Sequence, residues 1–115
     1  MTPDKPAMLT RRGDPEEFLA HWRFGDWNSL RIRCVGAQPG ITTWVNDVFV
    51  AEIHLASLDA EHYDADEVAA FLGPSGHIAL EVHDNDPRFG EGRWGRGARC
   101  RWRNILIAEL TPAPD

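Results

Sequence analysis

No apolar run in the chain comes near the ~20 residues that cross a bilayer, and the opening Met1-Thr-Pro-Asp-Lys-Pro6 has no apolar core of a secretory signal. Neither a membrane span nor export is expected, and the compartment is otherwise open. Cysteine is scarce. Cys34 and Cys100 belong to no C-x-x-C pair, which argues against a zinc knuckle or a dithiol redox motif. Buried free thiols are the expectation, with one cross-strand disulfide as the alternative in an oxidising compartment. H-E-x-x-H, the D-x-D-x-D-G calcium loop, P-loop, G-x-G-x-x-G and G-x-S-x-G patterns are all missing, so no metal and no cofactor is expected. Positive charge is also in short supply, with 12 Lys and Arg against 18 Asp and Glu and a net charge of −6. That balance disfavours nucleic acid or an anionic membrane as partner, because phosphate contacts need a basic surface.

The chain does carry an ordinary globular complement, 43% hydrophobic and 26% charged over 115 residues, enough for one domain with a modest core. Residues 1–13 are polar and Pro-bearing and read as a loose lead-in. Asp14-Pro15-Glu16-Glu17 combines a capping carboxylate, a proline suited to the first helical position and acids at the positive dipole end. A short helix to about Trp22 follows, with Phe18, Leu19 and Trp22 on one face. From Trp27 to Val35 the period changes to two, with Leu30, Ile32 and Cys34 facing one way and Ser29, Arg31 and Arg33 the other. Strands over 41–45 and 48–53 flank Asn46-Asp47, a pair tolerant of the positive φ angles of a tight hairpin. A second short helix is expected from Asp64 to Leu72, ended by Gly73 and Pro74. His77–His83 and Cys100–Leu110 are the last two predicted strands, around a Gly- and Arg-rich loop. Five strands fall short of the ~7 of a complete sandwich, which leaves a face or edge to be covered.

Alternation puts Arg31, Arg33, Glu81 and His83 opposite the predicted core positions Leu30, Ile32, Ile78, Leu80 and Val82, and Trp44 with Arg101 or Arg103 can join them. Guanidinium and carboxylate groups hydrogen-bond sugar hydroxyls, and an indole offers an apolar platform to a sugar ring. The plain alternative is a solvated polar sheet face with cross-strand ion pairs. Five tryptophans in 115 residues weigh toward the first reading, although Trp22 and Trp27 look like core. Glu81 and His83 stand two apart on a predicted strand, about 7 Å on one face, so the carboxylate can assist the imidazole as a general base. Arg88 to Arg103 holds six arginines and one acid, Glu91. It resembles RNA-binding Arg/Gly tracts, but in an acidic chain it reads better as a loop rimming a pocket.

Four stretches occur in an order that resembles one family: Gly25-Asp26-Trp27-Asn28 with Arg31-Ile32-Arg33, then Ile41-Thr42-Thr43-Trp44-Val45-Asn46, then Gly76-His77-Ile78-Ala79-Leu80-Glu81-Val82-His83, and Arg101-Trp102-Arg103-Asn104-Ile105-Leu106-Ile107. The family is the 3-keto-disaccharide hydrolase domain, and the likeness is to its C-terminal half. It implies a mostly β chain, part of an antiparallel concanavalin A-like jelly-roll or β-sandwich with two short helices. It divides the chain into a lead-in and helix (1–24), the sandwich part (25–110) and a tail (111–115). It implies a small carbohydrate as partner: a glycoside oxidised at C3, whose C2 proton is acidified so that the glycosidic bond leaves by elimination before water adds. His83, Arg103 and Asn104 match motif positions. On this basis His83 or Glu81 takes the proton, Arg31, Arg33 or Arg103 stabilises the enolate, and Trp44 stacks on the ring. Two departures stand out, Asp47 where the family usually has Gly and Glu81 where it usually has Gln. The rival expectations are a non-catalytic carbohydrate-binding or structural module, and a subunit whose missing strands come from a homodimer mate or a partner chain.

Overall fold

The structure is a computed structural model that describes residues 8–58, 63–73, 75–81 and 99–110. The chain divides into two compact units, Met1–Pro74 and Ser75–Asp115. In the first, strands β1 (Arg11–Arg12), β2 (Leu30–Val35), β3 (Gly40–Val45) and β4 (Val48–His54) form one antiparallel sheet in the order β1-β4-β3-β2. Helix α1 (Pro15–His21) precedes β2, and a short 3₁₀ turn (Leu55–Ser57) and helix α2 (Ala65–Leu72) follow β4. The architecture is thus the predicted mostly β, partial antiparallel sandwich with two short helices.

Each helix starts where its sequence provides a cap. The Asp14 carboxylate accepts from the Glu16 N–H at 2.9 Å, Pro15 occupies the first turn, and the last turn closes with the Trp22 N–H on the Phe18 carbonyl. Phe18 and Trp22, four apart, bring their rings to 5.6 Å. Asp64 accepts from both Asp66 and Glu67 N–H groups, and Gly73 ends α2 at φ 71°, a conformation that a side chain disfavours. An aspartate cap contributes about 1 kcal/mol.

The hairpin between β3 and β4 turns on Asn46 and Asp47, both at positive φ (50° and 64°), as a two-residue turn matched to strand twist requires. Asn46 also fastens the hairpin to the chain that leads into β2. Its Nδ2 donates to the His21 carbonyl (2.8 Å) and to Asn28 Oδ1 (2.7 Å), and its Oδ1 accepts from the Ser29 N–H (2.9 Å). Asn28 in turn brackets Arg23, accepting from its N–H and donating to its carbonyl, each at 2.9 Å. Two asparagines of the family-like stretches are therefore structural ties.

Several expectations are corrected. Residues 10–13, predicted to be a loose lead-in, hold β1: Thr10 donates to the Glu52 carbonyl and Gly13 to the Val50 carbonyl, both at 2.8 Å. Two arginines carry no β periodicity, so only the ladder reveals them. Of the strands predicted at 77–83 and 100–110, the described residues 77–81 and 100–110 lie in no strand. Alternation gives amphipathicity but no partner edge, and Asn104, at φ 54°, breaks the second run from within. Ile78 (69% exposed) and Leu80 (50%) are consequently not core, and Val82 and His83 lie outside the described residues. Leu30 (62%) and Ile32 (58%) are exposed too, because α1 packs on β4 while nothing described covers the apolar side of β2. Among the described residues only Val48 and Thr42 are buried. Trp22 and Trp27 keep 37% and 38% of their surface exposed, and the two cysteines are free and exposed where burial was expected.

Asn46→Ala removes the side-chain hydrogen bonds to His21, Asn28 and Ser29 and puts a Cβ-bearing residue without a local partner in the left-handed region. It should lower unfolding free energy by about 2–3 kcal/mol in urea denaturation, whereas Asp47→Gly should leave stability equal or raise it.

Candidate functional site

The polar side of the sheet is organised by one irregularity. In a regular strand Phe49 and Glu52, three apart, would point to opposite faces. Thr43 pairs with Ala51 but Trp44 pairs with Phe49, so Val50 is an extra residue in β4. This bulge turns Phe49 and Glu52 to the same side, in register with Trp44 and Thr42.

Two rows of side chains then cross that side. In the first, Arg31 of β2 lies opposite Trp44, with its guanidinium carbon 4.4 Å from the ring centre. Trp44 is opposite Phe49, and the Arg11 guanidinium of β1 sits 4.2 Å from the Phe49 ring. Guanidinium over an aromatic face is attractive by roughly 0.5–1 kcal/mol at an exposed site. The second row runs Arg33, Thr42, Glu52, Arg11. Here Thr42 Oγ1 donates to Glu52 Oε2 at 3.1 Å, and His54 Nε2 lies 3.3 Å from Glu52 Oε1. His54 rests over Gly40, where an added Cβ would come within 2.8 Å of the imidazole Nδ1. The glycine is what lets the ring lie there.

The Thr42 hydroxyl, the largest influence, holds the Glu52 carboxyl below its ordinary range. Partial burial opposes it, while the hydrogen bond to His54 and the charges of Arg11 and His54 act with it. Arg31 also approaches Asp47 at 4.0 Å, but both side chains are largely exposed and the pair contributes little. Among the described residues no three His, Cys, Asp or Glu side chains converge as a metal site.

Arg31, Arg33 and Trp44 therefore share one face as alternation predicts, and Arg31 and Trp44 touch. Glu81, Arg103 and Asn104 belong to the second unit, all exposed, and His83 lies outside the described residues. Sequence reasoning missed Arg11, Thr42, Phe49, Glu52 and His54. For two of them a signal existed: Glu52-Ile53-His54 repeats the spacing of Glu81-Val82-His83. The placement of Phe49 depends on the bulge, which leaves no mark in the sequence.

Because the folded pKa of Glu52 lies below its unfolded value, its contribution to stability is complete above the ordinary carboxylate range. It is lost as pH falls through the folded pKa. Glu52→Gln should thus destabilise the fold near neutrality, and the gap from the parent chain in urea midpoint should narrow as pH falls below the ordinary carboxylate range. A gap independent of pH would contradict the assignment.

Residues 7–108 match the family described as the 3-keto-alpha-glucoside-1,2-lyase-like domain, a span that takes in β1 and α1 as well as the sheet. No curated protein and no solved structure matches the chain. The chain belongs to the 3-keto-alpha-glucoside-1,2-lyase-like domain family.

Proposed function

We propose that this chain acts on glycosides bearing a ketone at C3 of the sugar, such as 3-keto-disaccharides, by elimination across C1 and C2 followed by addition of water. The observation that carries the reading is the polar sheet face, where an arginine stacked on an indole adjoins a carboxylate–imidazole pair. Family membership supplies the reaction class. The C3 ketone acidifies the C2 proton, so a modest base suffices, and the negative charge then collects on the ketone oxygen. Arg31 and Arg33 supply cationic donors for that oxygen. Trp44, ordered by the Arg31 guanidinium on its ring, is the aromatic group for the sugar's C–H face. The family resemblance keeps Arg103 and Asn104 as candidates for oxyanion and hydroxyl contacts, and Glu81 and His83 as candidates for the proton step.

A second reading is favoured by the position of β2 at the edge of the sheet among the described residues and by its exposed apolar side chains. It is a sugar-binding module or subunit whose sandwich is completed by a homodimer mate or a partner chain that covers Leu30 and Ile32. Light scattering after size exclusion separates the two, with a stable dimer favouring completion by a second copy.

Turnover of a 3-keto-α-glucoside is the test of the first. Arg31→Ala and Trp44→Ala should each lower kcat/KM by roughly 10–100-fold, and the combined His83→Ala, Glu81→Gln chain shows whether the second unit takes part. No turnover by the parent chain, with retained binding of the sugar, would replace the enzyme reading with the binding module.

A further inference from the structure

The strands bring three guanidinium groups, those of Arg11, Arg31 and Arg33, and one carboxylate, Glu52, to the polar face of a chain whose net charge is −6. The cations are not equally matched. Arg11 stands opposite Glu52 and acts on it by charge, and the carboxylate is otherwise engaged by the Thr42 hydroxyl at 3.1 Å and by His54 at 3.3 Å. Arg31 lies over the Trp44 ring and comes within 4.0 Å of Asp47, a turn residue whose side chain is 90% exposed. Arg33 has neither kind of partner. It is exposed, it faces Thr42, whose hydroxyl already donates to Glu52, and among the described residues it makes no hydrogen bond, ion pair or ring contact. Arg31 and Arg33 stand two apart on one face of β2, about 7 Å, where like charges repel and a bound anion relieves the repulsion. One guanidinium suffices for the single charge that elimination places on the ketone oxygen, so the pair has capacity for a second anionic group. Arg33 is also the diagonal neighbour of Trp44 across β2 and β3, roughly 7–8 Å away, a separation that a disaccharide stacked on the indole bridges with its second sugar.

We propose that Arg33 seats a carboxylate on that second sugar, so that the preferred ligand of this face is an acidic disaccharide, a glycoside of a hexuronic acid, and not a neutral one. The inference rests on the reading of this face as the sugar-binding surface and does not depend on turnover. A guanidinium meets a carboxylate with two parallel N–H donors, and such charge-assisted bonds are stronger than those to a neutral hydroxyl. Arginines interleaved with aromatic rings also suit a single-stranded nucleic acid. A net charge of −6 disfavours a long polyanion, whereas a ligand with one negative charge is repelled far less.

Calorimetric titration of the full chain with two uncleavable thioglycosides, a 3-keto-α-glucoside of glucuronic acid and the same compound with glucose in the second place, reads the preference. The acidic ligand should bind about 10-fold or more tightly, and the margin should shrink as salt is raised from about 0.05 to 0.5 M. Arg33→Gln should remove the margin, Arg33→Lys should keep part of it because the charge remains without the planar fork, and Arg33→Glu should turn it toward the neutral ligand. Equal affinity of the parent chain for both sugars, or a margin that Arg33→Gln leaves intact, would overturn the inference while leaving the sugar reading in place. Tighter binding of a thymidine oligonucleotide than of the acidic sugar, lost in Arg33→Gln, would overturn it in favour of nucleic acid. Acidic preference that depends on Arg33, without cleavage of the corresponding O-glycosides, removes the elimination reading and upholds this inference. If neither sugar binds, the sugar reading falls and the inference with it.

Discussion

One extra residue in β4 governs what this sheet presents. Val50 has no counterpart on β3, and the resulting bulge rotates Phe49 and Glu52 onto the side that carries Trp44 and Thr42. Without it, either the aromatic or the carboxylate would point to the apolar side, and the two rows of side chains would lose half their members. Bulges of this kind re-aim side chains at the cost of a locally broken ladder. Here the break is bridged by β1, because the Val50 carbonyl accepts from the Gly13 N–H. The two-residue strand is therefore part of the same device: it ties down the bulged strand and brings Arg11 over Phe49 and beside Glu52.

The polar face differs from an ordinary solvated one in how its charges are held. Exposed ion pairs on a sheet are loose and contribute little, and the Arg31–Asp47 pair at 4.0 Å is one of these. Arg31 and Arg11 are instead laid over aromatic rings, and Glu52 is anchored by neighbours on three strands. Side chains already ordered lose less entropy when a ligand arrives, which is the physical advantage of a preformed site. The opposite side of the sheet is a different surface, apolar at Leu30 and Ile32 and open to a covering layer.

Much of the first unit was legible because its signals are local. Asp14 and Asp64 cap the helices they precede, Gly73 ends the second, and Asn46-Asp47 makes the hairpin even without the glycine usual in the family. The alternation of Leu30-Arg31-Ile32-Arg33 assigned the faces of β2 correctly, including the meeting of Arg31 with Trp44. What escaped the sequence is non-local. The pairing of Arg11-Arg12 depends on β4, the shared face of Phe49 and Glu52 depends on a bulge, and Gly40 matters only because His54 lies opposite. The same limit explains the overreach at Ile78–Leu80 and Ile105–Ile107, where an apolar pattern was read as strand although these residues lie in no strand. The family likeness is what suggests a reaction class, since no single residue pattern in the chain specifies one.

The central claim is that the polar face of β1–β4 meets the sugar, and the most direct measurement is a two-dimensional NMR titration of the labelled chain with a non-cleavable 3-keto glycoside. The Trp44 indole N–H, assigned among the five tryptophans by Trp44→Phe, should shift together with the amides of Thr42, Glu52 and His54. Shifts confined to residues 75–110, with Trp44 unmoved at saturation, would contradict the account.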